Sequence, residues 1–302
     1  MFRTSTSARA MVSRLLMAMA VGVTLSLSSM AASAKDFVKL IVFGDSLSDN
    51  GNLYQFSNQT FPPFPYFQGR FSNGPVWIED LAVRLDASLE DHAFGGAFTD
   101  TRNYNSDIVP YVPGAPGMQT TINDYLASHK RLDPKALYVV WGGANDYLNG
   151  QSNPYVPVGN IVNEIQALSA KGAQSFLIPN LPDLGSVPVT LGSPFSFGLN
   201  YLTSLHNAIL AASIHDLQVA YPSRTFLVMD VNTLVRNIRA NPGASGFTNV
   251  SDRAIFAFPL MSGYLFWDDV HPTAAGHVQI SNLAVAMIES AQHGQDDDDG
   301  GD

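Results

Sequence analysis

The chain of 302 residues contains no cysteine. That absence excludes disulfides, thiolate metal sites, iron–sulfur clusters and a cysteine nucleophile. Charge is scarce as well: 14% of residues are Asp, Glu, Lys or Arg, and 26 acids outnumber 16 bases. A net charge of −10 repels polyphosphates at long range, so no nucleic-acid partner is expected. Long apolar runs are missing apart from one near the amino terminus, which excludes a chain that crosses a membrane repeatedly. No His–carboxylate cluster has metal-ligand spacing, and the G-x-x-x-x-G-K phosphate loop is absent. Neither a metal nor another cofactor is therefore required. What is present is 46% hydrophobic residues, enough for a large core and too many for a disordered chain.

Residues 1–34 read as a secretory leader. Arg3, Arg9 and Arg14 form a positive start without acids, Leu15–Leu27 is apolar, and Ala32-Ser33-Ala34 is a small-residue cleavage site. The apolar stretch is too short for a spanning helix, which needs about 20 residues. The expectation is an exported protein, periplasmic or extracellular, that begins at Lys35 and has no stable membrane insertion. Three of the 16 basic residues leave with the leader, so 13 bases face 26 acids and the mature charge is −13. Such a charge disfavours anionic surfaces but permits transient contact with a neutral or zwitterionic lipid. Residues 293–302 read as an acidic, solvated, disordered tail around Asp296–Asp299.

Between these ends, 35–292 reads as one domain in which short apolar runs alternate with helical patterns. Strands are expected at 37–43, 89–94, 136–141, 175–178 and 225–229. Helices are expected at 75–85, 119–130, 158–171, 199–220, 231–239 and 272–290, the last with Pro272 at its start. Strand–helix alternation predicts an α/β fold with a parallel sheet covered on both faces. Two stretches break the alternation, the aromatic and proline-rich 52–72 and the proline-bearing 102–118. Each lies between a glycine turn and a helix, so both are expected to overhang the strand ends.

Ligands of open parallel sheets bind at the carboxyl edge. Three consecutive strands here end in Gly44-Asp45-Ser46-Leu47, Gly95-Gly96 and Gly142-Gly143-Ala144-Asn145-Asp146. Near the carboxyl terminus stands Trp267-Asp268-Asp269-Val270-His271-Pro272. An acid three residues before a histidine suits a turn in which the carboxylate accepts from Nδ1 and Nε2 faces outward, with Asp269 as a competing partner. Asp45 and Asp49 read as turn and cap residues. His92 reads as a strand residue, and His206, His215 and His277 as structural or surface residues. The G-x-S-x-G elbow is missing around Ser46, which argues against an ordinary α/β-hydrolase.

The run Ile41–Asn52 (IVFGDSLSDNGN) resembles the first block of the GDSL (SGNH) lipases and esterases, Gly95-Gly96-Ala97 their glycine block, Gly143–Asp146 their asparagine block, and Asp268–His271 their acid–histidine block. All four occur in family order over about 39–290. The stretch Gly69–Trp77 (GRFSNGPVW) is similar to secreted lipase-like members. The resemblance implies a three-layer α/β/α flavodoxin-like fold with a five-stranded parallel sheet. It implies Ser46 as nucleophile, His271 as general base and Asp268 as its orienting acid. An oxyanion hole is implied from the Ser46 and Gly96 N–H groups and the Asn145 amide, with Gly95 as an alternative donor. These roles are chemically sensible: a serine hydroxyl needs a base, and an oxyanion needs fixed donors.

The function implied is a secreted serine ester hydrolase of lipase or phospholipase A/lysophospholipase type, with an ester or lipid substrate. A carbohydrate acetylesterase on the same fold and a non-catalytic secreted binding protein are the alternatives. Phe56, Phe61, Phe64, Tyr66 and Phe67 either line an acyl groove or pack as core beneath a loop. Acyl chain length, the natural alcohol and the oligomeric state are not legible.

Overall fold

Leu40–Phe43 and Leu137–Trp141 are apolar at every position, so strands built from them are stable only with both faces covered. The computed structural model of the protein describes residues 37–257 and 261–298. The expected leader lies outside the described residues, as do 299–302 of the expected tail. Five strands, β1 (Lys39–Gly44), β2 (Ser88–Asp91), β3 (Leu137–Trp141), β4 (Ser175–Pro179) and β5 (Thr225–Met229), form one sheet in the order β2-β1-β3-β4-β5. All four pairings are parallel. The central β3 and β4 are buried throughout, whereas the edge strands β2 and β5 are mostly half-buried.

Alternate strand residues serve opposite layers. Leu40, Val42, Leu137 and Val139 pack with α2 (Trp77–Arg84), α7 (Val231–Ala240) and α8 (Ala274–Asp298). Ile41, Phe43, Tyr138 and Val140 pack with α3 (Met118–Ser128), α5 (Tyr155–Ala170) and α6 (Ser196–Ala220). The result is the expected three-layer α/β/α fold. Because β2 and β3 flank β1 on opposite sides, the chain reverses direction across the sheet there, and a crevice opens at the carboxyl ends.

The five strands and six long helices lie where periodicity put them, with shifted ends. Backbone bonding from His92 and Phe94 to β1 carries the β2 pairing to the expected Phe94. Pro272 does not begin the last helix. It bridges Phe266, and the helix starts at Ala274, where Thr273 Oγ1 accepts the Gly276 N–H and Asn73 Oδ1 accepts the Ala274 N–H. The helix also runs past Ser290 to Asp298, into the stretch expected to be a disordered tail. No proline follows Pro272 to stop it.

Two five-residue helices, α1 (Asn52–Phe56) and α4 (Ala144–Leu148), are too short to leave a periodic signal. Both follow a glycine in the left-handed region, Gly51 and Gly143. A small parallel pair, β6 (Asn249–Arg253) and β7 (Tyr264–Phe266), was not foreseen either. The segments 52–72 and 102–118 do overhang the strand ends, where Leu53, Phe71, Val112 and Ala115 hold them together.

Candidate active site

The turn after β1 is built by its own acids. The Asp45 carbonyl accepts the Ser48 and Asp49 N–H groups, and Asp45 Oδ1 accepts the Leu47 N–H at 3.0 Å. This tight turn carries Ser46 at its tip. The Asp49 carboxylate accepts the N–H groups of Gly51, Asn52 and Leu53, and also that of Gly95 at 2.7 Å. Asp49 thus caps the short α1 and ties the first glycine turn to the second. Burial pushes both Asp45 and Asp49 up to about 6, against the pull of these N–H donors.

The acid–histidine turn comes from the far end of the chain. Asp268 Oδ1 accepts the Val270 and His271 N–H groups at 2.9 and 2.8 Å, and the Trp267 N–H donates to the His271 carbonyl. His271 Nδ1 then lies 2.7 Å from Asp268 Oδ2, and Nε2 lies 2.7 Å from Ser46 Oγ. The competing Asp269 is excluded, because its carboxylate pairs with Arg253 at 2.7 Å. Burial alone would raise Asp268, but the charge and hydrogen bond of His271, with the two N–H donors, hold it below the usual carboxylate range. Burial opposes charge on His271, yet Asp268 outweighs it and the imidazole titrates above its ordinary value.

Gly96 and Asn145 line the same cavity as Ser46, Asp268 and His271. Gly96 has φ +81°, and a Cβ there would come within 2.5 Å of Asn105 Nδ2 and 2.9 Å of Asn103 Oδ1, so no other residue fits. Asn103 and Asn105 hold the turn from behind by donating to the Gly95 carbonyl. The Gly95 N–H is committed to Asp49, which leaves Gly96 as the glycine donor. Among the described residues the Ser46 and Gly96 N–H groups have no acceptor. Asn145 Nδ2 donates to the Ala97 carbonyl at 2.9 Å and makes a long 3.5 Å contact with Asp45. The arrangement supplies a base on a hydroxyl, an orienting carboxylate, and N–H donors beside it.

The cavity measures ≈ 1190 Å³, above the roughly 300–1,000 Å³ of small-molecule pockets. One side is this polar rim. The other is apolar, from Leu184, Leu199 and Leu202 to Leu234 and Ile238. Of Phe56, Phe61, Phe64, Tyr66 and Phe67, Phe61 and Tyr66 line the cavity, as does Phe71 of the same segment, and Phe61 and Tyr66 also pack against the Leu53–Phe71 cluster. Phe64 is 95% exposed and belongs neither to the core nor to the cavity lining.

Tyr66 has a contact that local spacing does not reveal: its hydroxyl donates to Asp268 Oδ2 at 2.8 Å. Burial, and then the Asp268 charge, push the phenol up, so it stays a donor. The other histidines stand apart. His92 pairs with Glu90 and stacks on Phe43, His206 bonds Tyr147, His277 is buried, and His215 is exposed. Among the described residues no group of three or more His, Cys, Asp or Glu suits a metal.

A family model described as GDSL-like Lipase/Acylhydrolase matches residues 40–284. The chain is similar to the phosphatidylcholine-sterol acyltransferase of Aeromonas hydrophila, 26% identical over 312 residues, covering 86% of this chain and 92% of that one. It is also similar to the thermolabile hemolysin of Vibrio parahaemolyticus, 26% identical over 84% of this chain. It spans 64% of the hemolysin, just under two thirds. A solved structure from the lipolytic G-D-S-L family of Veillonella parvula superposes with TM-score 0.50 at 16% identity, over 82% of this chain and 96% of the other. That likeness shows the fold.

Proposed function

The chain belongs to the GDSL-like lipase/acylhydrolase family of carboxylic ester hydrolases, and on that premise we propose that it cleaves lipid esters through a Ser46–His271–Asp268 triad. The carrying observation is the continuous chain of short contacts, 2.7 Å from Ser46 Oγ to His271 Nε2 and 2.7 Å from Nδ1 to Asp268. His271 takes the Ser46 proton as Oγ attacks the ester carbonyl carbon. The carbonyl oxygen becomes an oxyanion facing the Ser46 and Gly96 N–H groups and the Asn145 amide. The ester C–O bond breaks, and the alcohol leaves with the proton from His271. Water repeats the sequence on the acyl-enzyme, releasing the acid and restoring Ser46. An alcohol that outcompetes water receives the acyl group instead. Asp268 stays ionised and stabilises the imidazolium.

The apolar wall supports a fatty acyl chain as the group transferred. Each methylene it covers is worth about 0.8 kcal/mol. A phospholipase A or lysophospholipase activity is the reading the cavity size and this wall favour. Export is part of the proposal and rests on the leader at residues 1–34.

The test is hydrolysis of p-nitrophenyl butyrate and of lysophosphatidylcholine by the wild type and by Ser46→Ala. Loss of both activities with the serine is expected, together with loss of fluorophosphonate labelling. Equal rates in the two proteins would refute the triad. Release of acetate from acetylated sugars without fatty acid from lysophosphatidylcholine would replace the lipid reading by a carbohydrate esterase. An exported protein beginning at Lys35 is expected on amino-terminal sequencing.

A further inference from the structure

Residues 184–215 contain no Asp, Glu, Lys or Arg. They form the turn and most of α6, and the part up to Leu202 lines one side of the cavity. Several of their large apolar side chains face outward: Phe195 is 73% exposed and Phe197 84%, with Leu191 and Tyr201 also exposed. Phe197 and Tyr201 are four residues apart on α6 and share a face. Exposed apolar side chains gathered in one place mark an interaction surface more often than singly scattered ones.

The loop that carries them is pinned. Gly185 N–H donates to Asn200 Oδ1 at 2.7 Å, Ser196 Oγ donates to the Gly185 carbonyl, and Asn200 Nδ2 donates to Ser186 Oγ. Gly185 is packed so closely that a Cβ would lie 1.8 Å from the Ser196 carbonyl oxygen. The phenylalanines are thus presented by a fixed backbone. The Val189 N–H bonds the Asp269 carbonyl, which joins this rim to the acid–histidine turn. Val189 and Phe195 are both exposed and line the cavity, so they border its mouth, while Phe197 and Tyr201 stand on the outer side of the same first turns of α6. The two acids on this side, Asp183 and Asp269, are paired with Arg236 and Arg253.

We propose that the face formed by Leu191, Phe195, Phe197 and Tyr201 seats the enzyme on a zwitterionic lipid surface of the phosphatidylcholine type, with the cavity mouth opening against it. The inference rests on the lipid-ester reading above and adds where the lipid is met. An uncharged face suits a surface without net charge, and a chain of net −13 once the leader is gone is repelled by an anionic one. The side chains enter the interfacial region as those of surface-lying amphipathic helices do.

Flotation with phosphatidylcholine vesicles tests it, using Ser46→Ala protein that begins at Lys35, so that no lipid is consumed and the apolar leader takes no part. The parent is expected to float, and to float less with phosphatidylglycerol. Adding Leu191→Ser, Phe197→Ser and Tyr201→Ser, none of which lines the cavity, is expected to lower partitioning roughly tenfold or more. The same three changes on the active protein leave turnover of soluble p-nitrophenyl butyrate unchanged. Val219→Ser, an exposed apolar position about 33 Å away along α6, leaves both readings unchanged. Should the triple variant lose soluble activity, Phe197→Glu alone decides, with flotation lost and activity kept as the expected result.

Flotation undiminished by these changes, or diminished equally by Val219→Ser, overturns the proposal. So does a dimer that the changes convert to monomers while the parent never floats. A protein that cleaves dispersed lysophosphatidylcholine but does not float sinks the surface alone. One that floats but releases only sugar-bound acetate sinks the lipid-ester reading and keeps the surface.

Discussion

The two walls of the cavity are made in opposite ways. The polar wall draws single residues from four distant segments, Ser46, Gly96, Asn145 and the pair Asp268–His271, and locks them with short hydrogen bonds. The apolar wall comes largely from one stretch, 184–202, with help from α7, and offers shape and hydrocarbon. Chemistry needs atoms placed within tenths of an ångström, which only cross-linked turns provide. Holding an acyl chain needs area, which packed leucines provide without exact placement. Substitutions in the first wall should therefore change turnover for every ester. Substitutions in the second should change which ester is preferred.

The largest effect expected is from His271→Ala, a loss of roughly 10⁴–10⁶ in kcat on short and long esters alike. Steady-state kinetics on p-nitrophenyl acetate and laurate would check it, and a loss confined to the long ester would break the contrast. Asn145→Ala should cost about 10²–10³ in kcat with KM little changed, as removal of an oxyanion donor does. In the other wall, Leu202→Trp should spare the acetate and lower kcat/KM for the laurate by about fourfold per methylene displaced.

Tyr66→Phe tests the bond that joins the aromatic segment to the triad. Removing this donor leaves more charge on Asp268, which stabilises the His271 imidazolium. In the proposed mechanism His271 must be neutral to act as base, so the rising limb of kcat/KM, expected above the ordinary histidine value, should move to still higher pH. A loss of roughly tenfold is expected at neutral pH. An unmoved limb would reduce Tyr66 to a packing residue.

The smallest expected effect lies outside both walls. Glu164 is buried on α5, and neither carboxylate oxygen has a partner among the described residues. Burial, then the charges of Asp146 and Asp100, raise it well above 4.5. A raised folded pKa contributes stability below the unfolded value and loses it as pH climbs through the folded one. Glu164→Gln should therefore match the wild type at pH 4, exceed it by about 1–3 kcal/mol at pH 8, and leave turnover unaltered. Thermal melts across that range would check it.

The contrast between the walls also explains what was readable in advance. Ser46, Gly96, Asn145, Asp268 and His271 each sit in a short run whose residue types signal a turn at a strand or helix end. The choice of Gly96 over Gly95 needed coordinates, because it depends on the Asp49 carboxylate taking the Gly95 N–H across 46 residues. The exclusion of Asp269 likewise needed Arg253. Tyr66 was visible only as one aromatic among five, since its partner Asp268 lies 202 residues away. The π-helical turn at Tyr104–Ile108 and the short α1 and α4 left no period to detect.

Alternation of apolar runs and amphipathic stretches by itself determined the sheet, its two helical layers and the order in which reactive segments arrive at one edge. The spacing of apolar residues along a segment is a local signal, and each segment carries it in its own residues. Tertiary structure alone decided which N–H groups stay free, which acid orients the imidazole, and which uncharged loop borders the mouth. Those outcomes rest on contacts between residues dozens to hundreds apart, and such contacts exist only once the layers have closed.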